Sequence, residues 1–534
     1  MPSERGSELP SAVRSGRESK PVSAGKYGDF YLMCGIAGIW GGDSEKEELA
    51  GMLELMTHRG PDARGLFASE YGRLGHQRLS IMDPVGGDQP IYNESREHVI
   101  VANGEIYNCK QLRRELERNH TFTTTSDSES ALHLYDDVGP DVVNELDGMY
   151  AFAIADADQI FAARDAIGIK PLYYAETDDK FWLASELNAL ARHVDDIREF
   201  PPGSFYHSTT GFKQFYTVPD IPPHDEPEAH YLKRIRETLE ACVVKRLMSD
   251  VPLGAFLSGG LDSSLICALA RQNLGQSFHT FSVGMESSRD LQAARMLSGY
   301  LDTIHHEYIL TISEIMDKLP EIIYHLESFD RDLVRSAIPC YFTSRLASEH
   351  VKVILTGEGA DELFAGYTYY KDIDDIDEVL HRELRRSVAA LHNVNLQRVD
   401  RLTMAHSIEG RVPFLDLEMI KLGQEVPAKY KLRGDPPVEK WILRKACEDL
   451  LPDEIVWREK EQFDEGSGTV DLLDQALANV MSESEAQDYM SRHPDAGLRC
   501  PEECFYHKLF MEVFDRPEPI LRNVGRWANR PDYL

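Results

Sequence analysis

At 534 residues the chain is too long for a single hydrophobic core and has room for roughly two to four domains of ordinary size. Lys+Arg total 57 against 90 Asp+Glu, a formal net charge of −33, which argues against a nucleic-acid or anionic-membrane partner and means that anionic substrates must be met by local basic groups. No run of about eighteen apolar residues suggests a membrane span, and the eight cysteines form no C-x-x-C pair, so a reducing, cytoplasmic setting is expected and a four-cysteine zinc site is not.

Residues 1–33 are rich in Ser, Gly, Arg and Lys and read as a disordered leader or as a stretch ahead of the true start. From 34 to 216 short apolar runs alternate with turn residues. Strands are expected at 99–102, 149–155, 160–164 and 181–184, and helices at 45–56 and 109–118, giving a strand-rich first domain. Pro219, Pro222, Pro223 and Pro227 among acidic residues mark a linker at 217–230. The second domain, 231–534, opens with Leu232, Ile235, Leu239, Cys242, Val243 and Leu247 at helical spacing. A strand at 251–257, a glycine loop, a helix at 265–271 and further strands at 280–283 and 351–356 then alternate as βαβ units do, so the fold class is α/β with a parallel sheet.

Cys34 heads a small strand-like segment directly after Met33. If Met33 is the start and is removed, Cys34 carries a free α-amine of pKa about 7.7–8.0, able to take the proton of a thiol of pKa about 8.5. A peptide nitrogen has no such capacity, so the fate of the preceding residues decides whether the thiol has a built-in base. In the second domain, Ser258-Gly259-Gly260-Leu261-Asp262-Ser263-Ser264 follows a strand and precedes a helix, the arrangement of a pyrophosphate cradle. Asp262 beside phosphate calls for an intervening cation such as Mg²⁺, which points to ATP chemistry with pyrophosphate leaving. Gly357-Glu358-Gly359-Ala360-Asp361-Glu362 also follows a strand, so the two loops are expected at one crevice.

The polar clusters His58-Arg59-Gly60-Pro61-Asp62, His76-Gln77-Arg78-Leu79-Ser80-Ile81, Asn103-Gly104-Glu105-Ile106-Tyr107-Asn108 and Ser126-Asp127, in this order after Cys34, resemble the glutamine amidotransferase domain of the N-terminal-nucleophile class. The resemblance implies that Cys34 attacks the glutamine side-chain amide and that Asn103 and the Gly104 N–H hold the oxyanion. It also implies that Arg78 clamps the α-carboxylate, that Asp127 with Glu105 takes the ammonium, and that Leu79, Ser80, Ile81 and Met82 complete the glutamine pocket. The 258–264 loop, Phe281-Ser282-Val283-Gly284, Arg335-Ser336-Ala337-Ile338-Pro339, 357–367, Arg411-Val412-Pro413-Phe414-Leu415-Asp416 and Lys460 resemble the synthetase domain of glutamine-dependent asparagine synthetases. That implies a doubly wound ATP-pyrophosphatase sheet behind an α+β sandwich, with glutamine, aspartate and ATP as substrates and a homodimer within its range.

The same resemblance assigns Mg²⁺ to Asp262 and Asp361, and ATP to Leu257, Ser258, Gly259, Gly260, Asp262, Ser263, Val283, Gly284, Thr356 and Gly357. Glu358 would take a proton as ammonia attacks, Lys460 would stabilise departing pyrophosphate, and Arg335 would assist on phosphate or acceptor. Two departures bear on the acceptor: Arg331-Asp332-Leu333-Val334 stands where some members carry threonines, and Gly410 where alanine is commoner. A different carboxylate acceptor therefore stays open, as does an ammonia-dependent or non-catalytic protein if the leader blocks Cys34.

Overall fold

The computed structural model describes residues 34–526 apart from 43–44, 61, 276, 461–462 and 478–479. The expected leader, Pro61 of the first polar cluster, and Glu461 and Gln462 beside Lys460 lie outside the described residues.

Strand Gly35–Trp40 lies within a six-stranded antiparallel sheet whose order is Arg198–Glu199, Tyr173–Glu176, Phe181–Ala184, Gly35–Trp40, Gly72–Arg78, Ala63–Ala68. A second antiparallel sheet of six runs Gly211–Gln214, Ser204–His207, Ile160–Arg164, Gly148–Ala155, Val99–Ile106, Ile91–Tyr92. Alternation along the strands builds the layers. Ile36, Trp40, Val101, Ala151 and Ala153 meet in a core between the two sheets. Ala37 and Ile39 face helices Lys46–Leu55 and Leu187–Ala191, while Ile100, Ala102, Phe152 and Ile154 face helices Cys109–Leu116 and Ser128–Val138. Burial on both faces makes these strands read as unbroken apolar runs.

The strands expected at 160–164 and 181–184 have those bounds. The one expected at 99–102 runs on to Ile106, because Asn103-Gly104-Glu105 stays in register with Met149, Tyr150 and Ala151 of the neighbouring strand. Gly104 has φ +141°, and a Cβ there would lie 2.0 Å from the Met149 carbonyl oxygen. The helix after the proline-rich stretch starts at Glu228, inside the linker expected at 217–230; Pro227 is its N-cap, where no N–H is needed by the helix.

The third sheet is parallel throughout: Ile304–Ile309, His279–Gly284, Leu253–Phe256, Val353–Leu355, Glu409–Arg411. Its chain order reverses between Leu253–Phe256 and Val353–Leu355, the position at which ligands gather in such sheets. The helix expected at 265–271 begins at Leu261, with Gly260 as N-cap. Asp262, Ser263 and Ser264 are therefore its first turn rather than part of the loop, because Gly260 already supplies the carbonyl that Ser264 N–H donates to.

Glu409–Arg411 was not expected as a strand. It is a buried, charged edge held by Thr356 N–H donating to the Arg411 carbonyl. Arg411 pairs with Glu105 at 2.6 Å and Glu409 at 2.8 Å, and Lys170 lies 3.3 Å from Glu409, so the antiparallel and parallel halves are joined through fully desolvated charges. Lys170 and Arg411 outweigh burial and hold the Glu409 carboxyl below its usual range. Arg411→Met is expected to leave Glu105 unpaired and Glu409 held by Lys170 alone, and to cost about 3–5 kcal/mol of stability, read as a lowered urea midpoint. An unchanged midpoint would contradict this account of the junction.

Candidate active sites

The first cavity is lined by Cys34, Arg78, Leu79, Ile81, Met82, Asn103, Gly104, Glu105 and Asp127, all expected from the sequence. Ser80 is not among its lining residues; its N–H donates instead to Asp62 Oδ2 at 2.9 Å. Cys34 Sγ lies 3.4 Å from the Leu79 N–H and 3.6 Å from the Leu79 carbonyl. Burial pushes the thiol up to about 12, against the opposing pull of the Leu79 backbone. A thiol raised in this direction calls for a base at the site. Asn103 Nδ2 is buried and makes no hydrogen bond, an open donor on a residue that lines the same cavity as Cys34. Arg78 is held by Asp88 at 2.6 Å and by the Asp83 carbonyl at 2.6 Å. Asp127 accepts from the Ile106 N–H at 2.7 Å; burial dominates its environment and pushes its carboxyl up to about 6.

The second cavity opens at the switch point of the parallel sheet. Ser258, Gly260, Asp262, Ser263, Thr356, Gly357, Glu358, Asp361 and Lys460 line it together. The two loops touch: a Cβ on Gly357 would lie 2.8 Å from that of Asp262. Gly359, at φ +98°, turns the chain so that Asp361 enters a short helix facing the cavity. Ser258 Oγ and Ser263 Oγ are 3.0 Å apart, and Ser264 Oγ donates to the Gly260 carbonyl at 2.6 Å. The Glu358 carboxylate pairs with Arg398.

Lys440, a residue that sequence reasoning missed, sets its ammonium between Asp262 (2.5 Å) and Asp361 (2.6 Å), and Lys460 reaches the other Asp361 oxygen at 2.9 Å. Despite burial, Lys440 and Lys460 hold the Asp361 carboxyl well below the usual range, and Asp361 and Asp262 hold the Lys460 ammonium well above its own. Asp262 Oδ1 is buried and has no hydrogen-bond partner. A cation already bridges the two carboxylates and one oxygen remains open, so the donor set fits a divalent ion.

Several expected ATP residues are set back from the cavity. Leu257 and Val283 are core side chains, and Gly284 packs on Ser288. Gly259, at φ +73°, turns its carbonyl to Arg458 at 3.0 Å. Arg335 is not among the lining residues; Glu502 binds its guanidinium by two bonds of 2.7 and 2.6 Å. Arg458, pinned by Asp290 at 2.7 Å, and Glu409, which lines the first cavity from the parallel sheet, were also missed. A basic residue between Glu459 and Trp457 in so acidic a chain was the one available signal for Arg458; Glu409 offered none.

A cysteine-headed cavity in an antiparallel sandwich, fused to a glycine-loop cavity at the switch point of a parallel sheet, is the architecture of a glutamine amidotransferase joined to an ATP-dependent synthase. Residues 33–215 match the model of the glutamine amidotransferase domain family, and 234–378 and 374–524 match that of asparagine synthase. The chain is 38% identical to the glutamine-hydrolysing asparagine synthetase of Zea mays, covering 93% of this chain and 88% of that one. It is 39% identical to asparagine synthetase 3 of Arabidopsis thaliana (91% and 88%) and 37% identical to a probable asparagine synthetase of Dictyostelium discoideum (93% and 96%). The chain belongs to the glutamine-hydrolysing asparagine synthetase family.

Proposed function

We propose that the protein makes L-asparagine from L-aspartate, taking ammonia from L-glutamine and converting ATP to AMP and pyrophosphate. The observation that carries this reading is the convergence of Asp262, Glu358, Asp361 and Lys460 with the Ser258–Ser263 hydroxyls on one cavity, in a chain whose other half holds Cys34 and an open amide donor in one cavity. A carboxylate does not react with ammonia because its leaving group would be oxide; adenylation replaces that oxide with AMP. Ser258, Gly260 and Ser263 would hold the pyrophosphate, and Lys460 would meet the charge that develops as it leaves. Asp262 and Asp361 would hold Mg²⁺, which neutralises phosphate charge when bound. Glu358, oriented by Arg398, would accept a proton from attacking ammonia.

At the first cavity Cys34 Sγ would attack the glutamine amide carbon, Asn103 Nδ2 and the Gly104 N–H would take the oxyanion, and ammonia would leave. Arg78 and Asp127 would select the α-amino acid head. The two cavities are connected by neighbouring strands: Glu409 lines the first, and Thr356 and Gly357, at the end of the adjoining strand, line the second. All eight cysteines are unpaired, as a cytoplasmic protein's would be, and among the described residues no helix is long and apolar enough to cross a membrane.

The reading is tested by pyrophosphate release measured over aspartate, other small acids and no acceptor, each with glutamine and with ammonium. Asparagine and AMP are expected from aspartate with either nitrogen source; release with another acid alone would overturn the acceptor assignment. The glutamine site also carries a pH signature. With Asp127 near 6, lowering the pH from 7 to 5 protonates the carboxylate that glutamine's ammonium requires, so KM for glutamine is expected to rise about tenfold and to stay flat from pH 7 to 8. Asp127→Asn should raise KM at every pH and erase this dependence; a wild-type KM flat down to pH 5 would refute Asp127 as the ammonium's partner.

A further inference from the structure

We propose that Glu94, His120, His133 and Asp136 form a binding site for a divalent transition metal of the zinc class, separate from both cavities. One ligand atom from each of the four lies within 4.8 Å of the others, and none of the four lines either cavity. Three chain segments supply them: Glu94 after strand Ile91–Tyr92, His120 after helix Cys109–Leu116, and His133 with Asp136 one turn apart on helix Ser128–Val138. Two imidazoles and two carboxylates converging on one point are a four-ligand set suited to Zn²⁺.

His133 is the second, independent observation. It is fully buried, and its ring nitrogens make no aligned hydrogen bond, only ion-pair contacts of 3.2, 3.7 and 3.5 Å with Glu94, Asp136 and Glu129, an arrangement that native cores rarely hold without a further partner. Its Nδ1 points at the cluster, 3.2 Å from Glu94 Oε2 and 3.7 Å from Asp136 Oδ2. The surroundings also fit a metal site, where histidine ligands turn their other nitrogen to a carboxylate. His133 Nε2 lies 3.5 Å from Glu129 Oε1, and Glu129 is fixed by the Thr123 and Thr124 N–H groups at 2.6 and 2.7 Å. His120 Nε2 lies 3.1 Å from Asp137, and His98 Nδ1 holds the other Asp136 oxygen at 2.6 Å.

A metal ion would satisfy with a fixed charge the carboxylates of Glu94, Glu129 and Asp136 that face His133. The trio His279, His306 and His350 is a weaker candidate: its rings stack, with His306 and His350 centroids 3.8 Å apart at 24°, and His279 Nδ1 and His306 Nε2 already share a hydrogen bond of 3.0 Å. A metal at the first cluster would clip three segments together and fix the helix whose N-cap, Asp127, lines the Cys34 cavity.

The test uses the full chain without a histidine tag, stripped with chelator and titrated with Zn²⁺ by calorimetry and with Co²⁺ by visible absorption. One ion per chain is expected, with intense ligand-field bands for Co²⁺, proton release visible as a buffer-dependent heat, and a higher Tm at saturating Zn²⁺. His120→Asn and Glu94→Gln, at partly exposed and exposed positions that leave the core intact, should each weaken binding at least about tenfold. His279→Asn should not change it. No stoichiometric uptake by the native chain, or uptake undiminished in both ligand variants, would overturn the site.

Discussion

Asp361→Asn is expected to lower pyrophosphate release about 10²–10³-fold or more, with glutamine and with ammonium alike, while glutamine hydrolysis at Cys34 continues. Asp361 is the hub of the second cavity, pairing through one oxygen with Lys440 and through the other with Lys460. Asparagine keeps the shape and removes the charge. Asp262 is then the one carboxylate left between two ammonium groups, and both lysines are drawn toward it and away from the space the phosphates need. The loss should appear in a single turnover, since it acts on adenylation and not on product release. Leaving buried lysines short of a partner also costs stability, about 3–5 kcal/mol for a buried pair, so the retained glutaminase serves as the control for folding. Unchanged pyrophosphate release would remove Asp361 from the ATP site and with it the metal assignment.

The sequence was most legible where burial was two-sided. The runs at 160–164 and 181–184 are apolar on successive residues because layers cover both faces of their sheets, and they read as strands without help from the rest of the chain. Loops with special glycines were legible for a related reason: Gly259 and Gly359 sit at positive φ, where a side chain would strain the backbone or strike a neighbour. What escaped was polar structure inside the fold. Asn103-Gly104-Glu105 looks like the end of a strand and is its continuation, and Glu409–Arg411 has no apolar signal at all, because its burial is made tolerable by charge pairing rather than by hydrophobicity. Lys440 lies 178 residues from Asp262 in the chain and makes its contact from a left-handed lysine, which no local pattern announces. Arg335 shows the opposite case. Its motif is present, but its partner, Glu502, lies 167 residues on in a helix that the sequence reading did not connect to it.

Cys34→Ala is expected to abolish the glutamine-supported rate, by about 10⁴-fold or more as removal of a nucleophile does elsewhere, and to spare the ammonium-supported rate. The division follows from the geometry, since the cavity of Cys34 and that of Asp262 share no lining residue. The native thiol faces a steep requirement of its own. Burial pushes it up to about 12, so attack calls for a base within reach. The α-amine of Cys34, near 7.7–8.0 when free, would be the group to take that proton during attack. Glutaminase activity should therefore track the fraction of molecules whose intact mass begins at Cys34, and chains that retain residue 33 should run on ammonium alone. Active protein whose mass includes the upstream residues would require another base at Cys34, and equal loss of both rates in Cys34→Ala would contradict the separation of the two sites.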